Sequence, residues 1–199
     1  ALINSQPMGF YAPSQLVQDA RRHGVEVRAV DVRVSDWDCT LERRESDGEP
    51  ALRLGLRLVK GLGEEAARRL VEARAGQGGF TGVQELAECT LLDRRELGCL
   101  AAAGALTGLA GHRHRAAWQV AGVESPLPLL PEIRIAEATP LLRAPREGQD
   151  IVADYAHTGL TLRRHPVELL RARLAARGAL SSIELRERPN GAQVRTAGL

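Results

Sequence analysis

The segment 56–74, LRLVKGLGEEAARRLVEAR, holds the residue types and spacing that come closest to a chemistry. Gly61 and Gly63 bracket Leu62, Lys60 precedes them, and Glu64 opens an Ala/Arg-rich run. Glycine suits a helix interior least, so two of them this close mark a tight turn or a close approach. Apolar residues at helical spacing on both sides predict a helix–hairpin–helix. Gly61 and Gly63 let the chain reverse within two or three residues, and Leu62 plugs the space between the helices. The amides of Gly61, Leu62, Gly63 and Glu64 then point outward at the start of the second helix. Unpaired donors and partial positive charge make such an end an anion site. Without a Cβ, the backbone comes close to a phosphate oxygen, and Lys60 and Arg68 flank it. Contacts of this kind go to the nucleic-acid backbone and carry no sequence information. The same spacing also fits a bare corner between two helices, with no ligand.

A second, degenerate copy follows in RRELGCLAAAGALTGLAGHRHRAAW. Leu97 and Leu100 share a helical face, Ala103-Gly104-Ala105 stand where the first copy has Gly-Leu-Gly, and a basic helix comes after. Two such units packed as a pair grip a duplex backbone, with Arg113 and Arg115 supplying further phosphate contacts. Both arginines fit a solvated helix face equally well.

Other constellations are weaker. Asp36 and Asp38 in SDWDC are spaced as Mg²⁺ ligands for phosphoryl transfer, but a polar loop after a strand accounts for them better. GLGEEA lacks the third glycine of a dinucleotide-binding loop, and no GK[ST] is present. Cys89, Cys99, His112 and His114 match no common zinc spacing. No nucleophile motif occurs, and exposed tandem aromatics for stacking single-stranded bases are missing.

The elements that must position the glycines are mostly helical. Residues 13–23 predict a helix capped by Ser14 and ended by Gly24. Residues 25–34 alternate as a strand. Residues 43–50 are a polar turn, and 51–59 a short strand running into a helical turn. Helices are expected at 64–75, 83–88, 93–103, 112–122 and 165–178, with a short helix and turn at 150–162. The stretch 124–148 carries five prolines and reads as a linker or strap. Aromatics make up 3% of the 199 residues, so the core is aliphatic, with Met8, Phe10 and Tyr11 expected to pack into it. Net charge is only +2, so any anion site is a local arginine patch rather than a global field. Three cysteines without framework spacing fit a reducing, cytoplasmic setting. A missing initiator Met and a last stretch that stops mid-strand suggest part of a longer protein.

These pieces together resemble a family. NSQPMGFYAPSQLVQDARRHGVEVRAVDVRVSDWDCTLE is similar to the C-terminal fingers region of bacterial C-family DNA polymerases, the polymerase III alpha-subunit group. LRLGLRLVKGLGEEAARRLVEAR resembles that family's first helix–hairpin–helix, LDRRELGCLAAAGAL its second, and ADYAHTGLTLRRHPVELLR the segment before its OB domain. DARRHGVEVRAVDV, SDWDCTLE and GHRHRAAW are closer to the error-prone, damage-inducible branch (ImuC-type). The resemblance implies a mainly α fold with a few short strands, a tandem helix–hairpin–helix domain packed on a small α/β fingers segment. It divides the chain into fingers (1–50), tandem hairpins (51–123), a proline-rich connector (124–180) and the start of an OB domain (181–199). It implies translesion synthesis, with duplex DNA held at Lys60, Gly61, Leu62, Gly63, Glu64, Arg68, Gly104, Arg113 and Arg115. The catalytic carboxylates and Mg²⁺ would belong to a palm that this stretch does not contain. Accessory mutagenesis proteins and the sliding clamp are the implied protein partners, and a protein-docking module is the alternative reading of the whole.

Overall fold

The computed structural model describes residues 2–6, 10–43, 49–123 and 140–198. Most of the expected turn at 43–50 (residues 44–48), most of the strap (124–139) and Met8 lie outside these residues. The fold is mainly α with a few short strands, in two compact units, Ala1–Leu162 and Arg163–Leu199.

In the first unit, α1 (Pro13–Arg22) starts with proline at its first position, where the missing N–H costs nothing. Ser14 does not cap it. Ala12 occupies the N-cap, and the Gln15 side chain accepts from the Ala12 amide at 2.9 Å. At the other end Gly24, at φ +82°, ends the helix as the sequence predicts. The amides of Val25 and Gly24 return to the carbonyls of Ala20 and Arg21.

The expected strand over 25–34 shrinks to β1 (Val27–Arg28). Val30 and Val32 are still buried, but Asp31–Ser35 coil into a turn that takes the alternation out of register. Strands β2 (Thr40–Arg43) and β3 (Pro50–Arg53) complete a sheet of order β1-β3-β2, parallel on one side of β3 and antiparallel on the other. The register pairs Leu52 with both Val27 and Leu41. A 3₁₀ turn at Leu56–Leu58 follows, as the sequence suggests. Gly55 lets it pass, because a Cβ there would overlap the backbone of Trp37 and Asp38.

The remaining helices of this unit are α2 (Glu64–Gln77), α3 (Val83–Thr90), α4 (Arg94–Ala102), α5 (Thr107–Ala110), α6 (Arg113–Ala121) and α7 (Glu147–His157). Helix α4 has a reciprocal cap: Glu96 donates its amide to Asp93 at 2.6 Å, and Asp93 donates its amide to Glu96 at 2.9 Å. One aliphatic core runs through the unit, from Val17, Val32 and Leu56 to Leu70, Leu86, Leu97, Leu100 and Leu106. Phe10 and Tyr11 do not join it. Phe10 is 91% exposed, because the chain runs over the surface into α1, which sends Val17 inward instead. Residues on both sides of position 50 share this sheet and core.

The second unit holds α8 (Pro166–Ala175), β4 (Ala179–Leu180), α9 (Ser182–Arg186) and β5 (Arg195–Thr196), with β4 and β5 parallel. Proline opens α8, and Gly178, at φ +74°, follows it. No helix among the described residues is long and apolar enough to cross a membrane.

Across the sheet, Arg53 grips the Glu42 carboxylate with two bonds of 2.7 and 3.0 Å, and Arg28 adds a third at 2.8 Å. Arg53 first, then Arg28, holds the Glu42 carboxyl below its ordinary value. A depressed carboxylate pKa stabilises the fold above the unfolded value, and the gain vanishes as pH falls through the folded one. Glu42→Gln should therefore lower the melting temperature near neutral pH. The gap to wild type should close by about pH 3, below the usual carboxylate range; thermal melts across that range check it.

Candidate nucleic-acid interface

The first hairpin turns between the 3₁₀ turn and α2. Gly61 carries the left-handed backbone, φ +86°, whereas Gly63 is extended at φ −79° and forms the N-cap of α2. The two glycines thus do different work. A Cβ on Gly61 would lie 2.9 Å from Cys99 Sγ, so the turn packs tightly on α4. Arg95 of α4 also donates to the Gly61 carbonyl at 3.0 Å. A Cβ on Gly63 would meet nothing within 4 Å, so that glycine faces open space. Leu62 is buried between the elements, as expected.

Of the four amides expected to point outward, that of Leu62 turns back to the Val59 carbonyl at 3.2 Å. Among the described residues, those of Gly61, Gly63 and Glu64 have no backbone acceptor. The Gly63 carbonyl already accepts from Ala67, so α2 is engaged from its first turn. Its opening turn also carries the carboxylates of Glu64 and Glu65. Arg68 reaches back to Glu64 at 2.6 Å across an exposed face and offsets one of them.

Lys60 is less free than its sequence position suggests. Its amide donates to the His157 carbonyl at 2.8 Å and its ammonium to the Tyr155 carbonyl at 3.1 Å. It thus seats a cation on the C-terminal turn of α7, where the helix dipole favours one.

The second hairpin is α4, the turn 103–106 and α5. Gly104, at φ +79°, matches Gly61 in conformation. The basic helix does not follow the turn directly: α5 intervenes, and Arg113 and Arg115 belong to α6. Arg115 is exposed, with its amide on His112 Nδ1 at 3.2 Å.

Arg113, expected to face a phosphate, turns inward and spends its donors within the chain. Its Nε donates to the Ala102 carbonyl (3.0 Å) and its Nη2 to the Ala103 carbonyl (3.1 Å) and the Asp154 carboxylate. Its Nη1 donates to the Asp150 carboxylate (2.5 Å) and carbonyl (3.3 Å). Five donors meet five acceptors, and only 11% of the side chain is exposed. Gly104 provides the space, since a Cβ there would lie 2.9 Å from Nη2. So Gly104 serves an arginine of the same chain, and nothing opens at it as at Gly63.

Asp36 and Asp38 are each held by an arginine, Arg74 and Arg57 respectively, both at 2.6 Å. That pairing does not fit a catalytic Mg²⁺, which needs the carboxylate oxygens for itself. Among the described residues, no cluster of three or more His, Cys, Asp or Glu could hold a metal ion. Burial pushes the Cys39 thiol up, the opposite of an activated nucleophile.

A helix-hairpin-helix motif family matches residues 24–116, which span both hairpins and the sheet. The error-prone DNA polymerase of Methylococcus capsulatus is 57% identical over the whole chain, and that of Alkalilimnicola ehrlichii 59%. That of Pseudomonas aeruginosa is 51% identical over the same extent. This chain is a relative of error-prone DNA polymerases. The likeness to these polymerases runs from one end of the chain to the other. The chain covers 19–20% of the length of these polymerases.

Sequence reasoning missed the carboxylate acceptors of Arg113, Asp150 and Asp154, which lie on α7, beyond residues 124–139. It also missed Arg33, whose guanidinium lies over Gly108 of α5. Only the first glycine of TGLAG, Gly108, hinted at that, since a glycine within a helical turn asks for a close neighbour.

Removing one partner of a buried ion pair costs about 3–5 kcal/mol. Arg113→Ala should therefore lower the melting temperature by roughly 10 °C. Adding Asp154→Asn to that variant should cost much less than it does in wild type, because the two act as one unit. Calorimetry of the double-mutant cycle measures both.

Proposed function

We propose that this chain is a duplex-DNA-holding part of an error-prone, translesion DNA polymerase, gripping backbone phosphates without regard to sequence. One observation carries the reading: the start of α2 presents amides with no backbone acceptor among the described residues, at a glycine with open space before it, on a turn locked from behind by Arg95 and Cys99. Rigid donors aimed at open space suit a phosphate oxygen and read no base. Gly61, Gly63 and Glu64 supply amides, and Leu62 holds the turn. Lys60 and Arg68 flank the site, with Arg115 as a further exposed cation. Metal-dependent nucleotidyl transfer falls, in this proposal, to the rest of the longer polymerases, and the setting is the cytoplasm. Accessory mutagenesis proteins and the clamp would then meet other surfaces of that whole.

Gly63→Asp tests the reading with opposed signs. Aspartate is a better N-cap than glycine and sits well at a helix start, so melting should hold or rise. Its carboxylate would occupy the anion seat, so affinity for a labelled duplex should fall at least tenfold. Wild-type affinity should also drop steeply as salt is raised. A shallow salt dependence with undiminished Gly63→Asp binding would instead favour a protein-docking module. In primer-extension assays with Mg²⁺ and dNTPs, the chain alone should yield no product; template-dependent extension would refute the division of labour.

A further inference from the structure

The second hairpin does not present bare amides in the manner of the first, and what covers it is a cation. Arg33 lies 75 residues upstream of Gly108 in sequence, yet a Cβ on Gly108 would overlap its Cζ, Nε and Nη2. Glycine at the second position of a four-residue helix is thus the slot that admits this guanidinium.

The slot is matched by a mount. Asp31 accepts the Arg33 amide at 2.9 Å, Nε at 3.1 Å and Nη2 at 2.7 Å, which fixes the direction of the side chain. The turn beneath is held from three sides. Ser35, fully buried, bridges the Asp31 amide and the Leu54 carbonyl. Arg74 of α2 donates to the carbonyls of Val32 and Ser35. The Val32 amide donates to the Ala105 carbonyl, inside the second hairpin's own turn. Arg33 is therefore carried by both hairpins, although it belongs to neither.

Its outer edge remains available. Among the described residues, no acceptor meets Nη1, and 49% of the side chain is exposed. Asp31 takes the inner edge of the fork, and a planar guanidinium can bridge a carboxylate on one edge and a phosphate on the other.

We propose that Arg33 is the phosphate ligand of the second hairpin, standing where the first hairpin offers backbone amides. The inference rests on the duplex-DNA reading above and deepens it: one hairpin grips with main chain, the other with a mounted arginine.

Three variants of the 199-residue chain test it against a short fluorescein-labelled duplex over a salt series. Arg33→Gln should weaken binding equally for all duplex sequences and reduce the slope of log affinity against log salt by about 0.9. Gly108→Ala keeps every charge and favours the helix, yet displaces the guanidinium. It should lower affinity severalfold at an unchanged or higher melting temperature. Arg33→Lys should recover the slope but not the full affinity, since an ammonium lacks the fork. If Arg33→Gln and Gly108→Ala bind as wild type while Gly63→Asp does not, Arg33 is no ligand and the first-hairpin reading stands. If wild type binds no duplex, both readings fall.

Discussion

The arrangement of helices depends on one buried cation. A guanidinium withdrawn from water is tolerable only when its donors are all met, and Arg113 meets five acceptors from two directions. Two are the carbonyls of Ala102, the last residue of α4, and of its C-cap Ala103, which the helix cannot satisfy internally. The others belong to α7, so the same side chain closes one helix and binds another. Asp154 extends the network by accepting from Thr161, which orders the turn after α7. That turn lies against Lys60: the would-be Cβ of Gly159 sits 3.9 Å from Cε of the lysine. The second hairpin, α7 and the first hairpin thus form a closed circuit of polar contacts around an aliphatic core.

This circuit explains why two hairpins of similar outline differ in use. Gly61 and Gly104 share a left-handed turn, and each leaves its missing Cβ to a side chain, Cys99 in one case and Arg113 in the other. What differs is the next position of consequence. Gly63 opens a long helix and faces empty space, whereas α5 is four residues long and its glycine is roofed by Arg33. Short helices gather little dipole, so a mounted charge is the more effective anion ligand there.

Local chemistry was legible in the sequence and distant chemistry was not. The glycine pair, Leu62, the acidic start of α2 and the Gly24 stop each act through neighbours a few residues away, and the structure keeps them. Ser14 lost its capping role because Pro13 is already helical, which moves the N-cap back to Ala12. The strand at 25–34 stopped at Arg28 because the Asp31–Ser35 hydrogen bonds outcompete a ladder there. Phe10 and Tyr11 stay outside because leucine, valine and alanine fill the interior without them. For Arg113 the type was noticed but the direction was wrong, since Asp150 and Asp154 reach it across more than thirty residues of chain.

Lys60 is the only lysine in the sequence. Apart from the α-amine, acylating reagents therefore have one side-chain amine to attack, and it sits at the joint between the first hairpin and α7. Its amine is exposed and donates to the Tyr155 carbonyl, so its acylation rate reads how firmly that bond holds it. A fluorophore placed there would report on the joint without mutagenesis, in a chain whose arginines are invisible to the reagent.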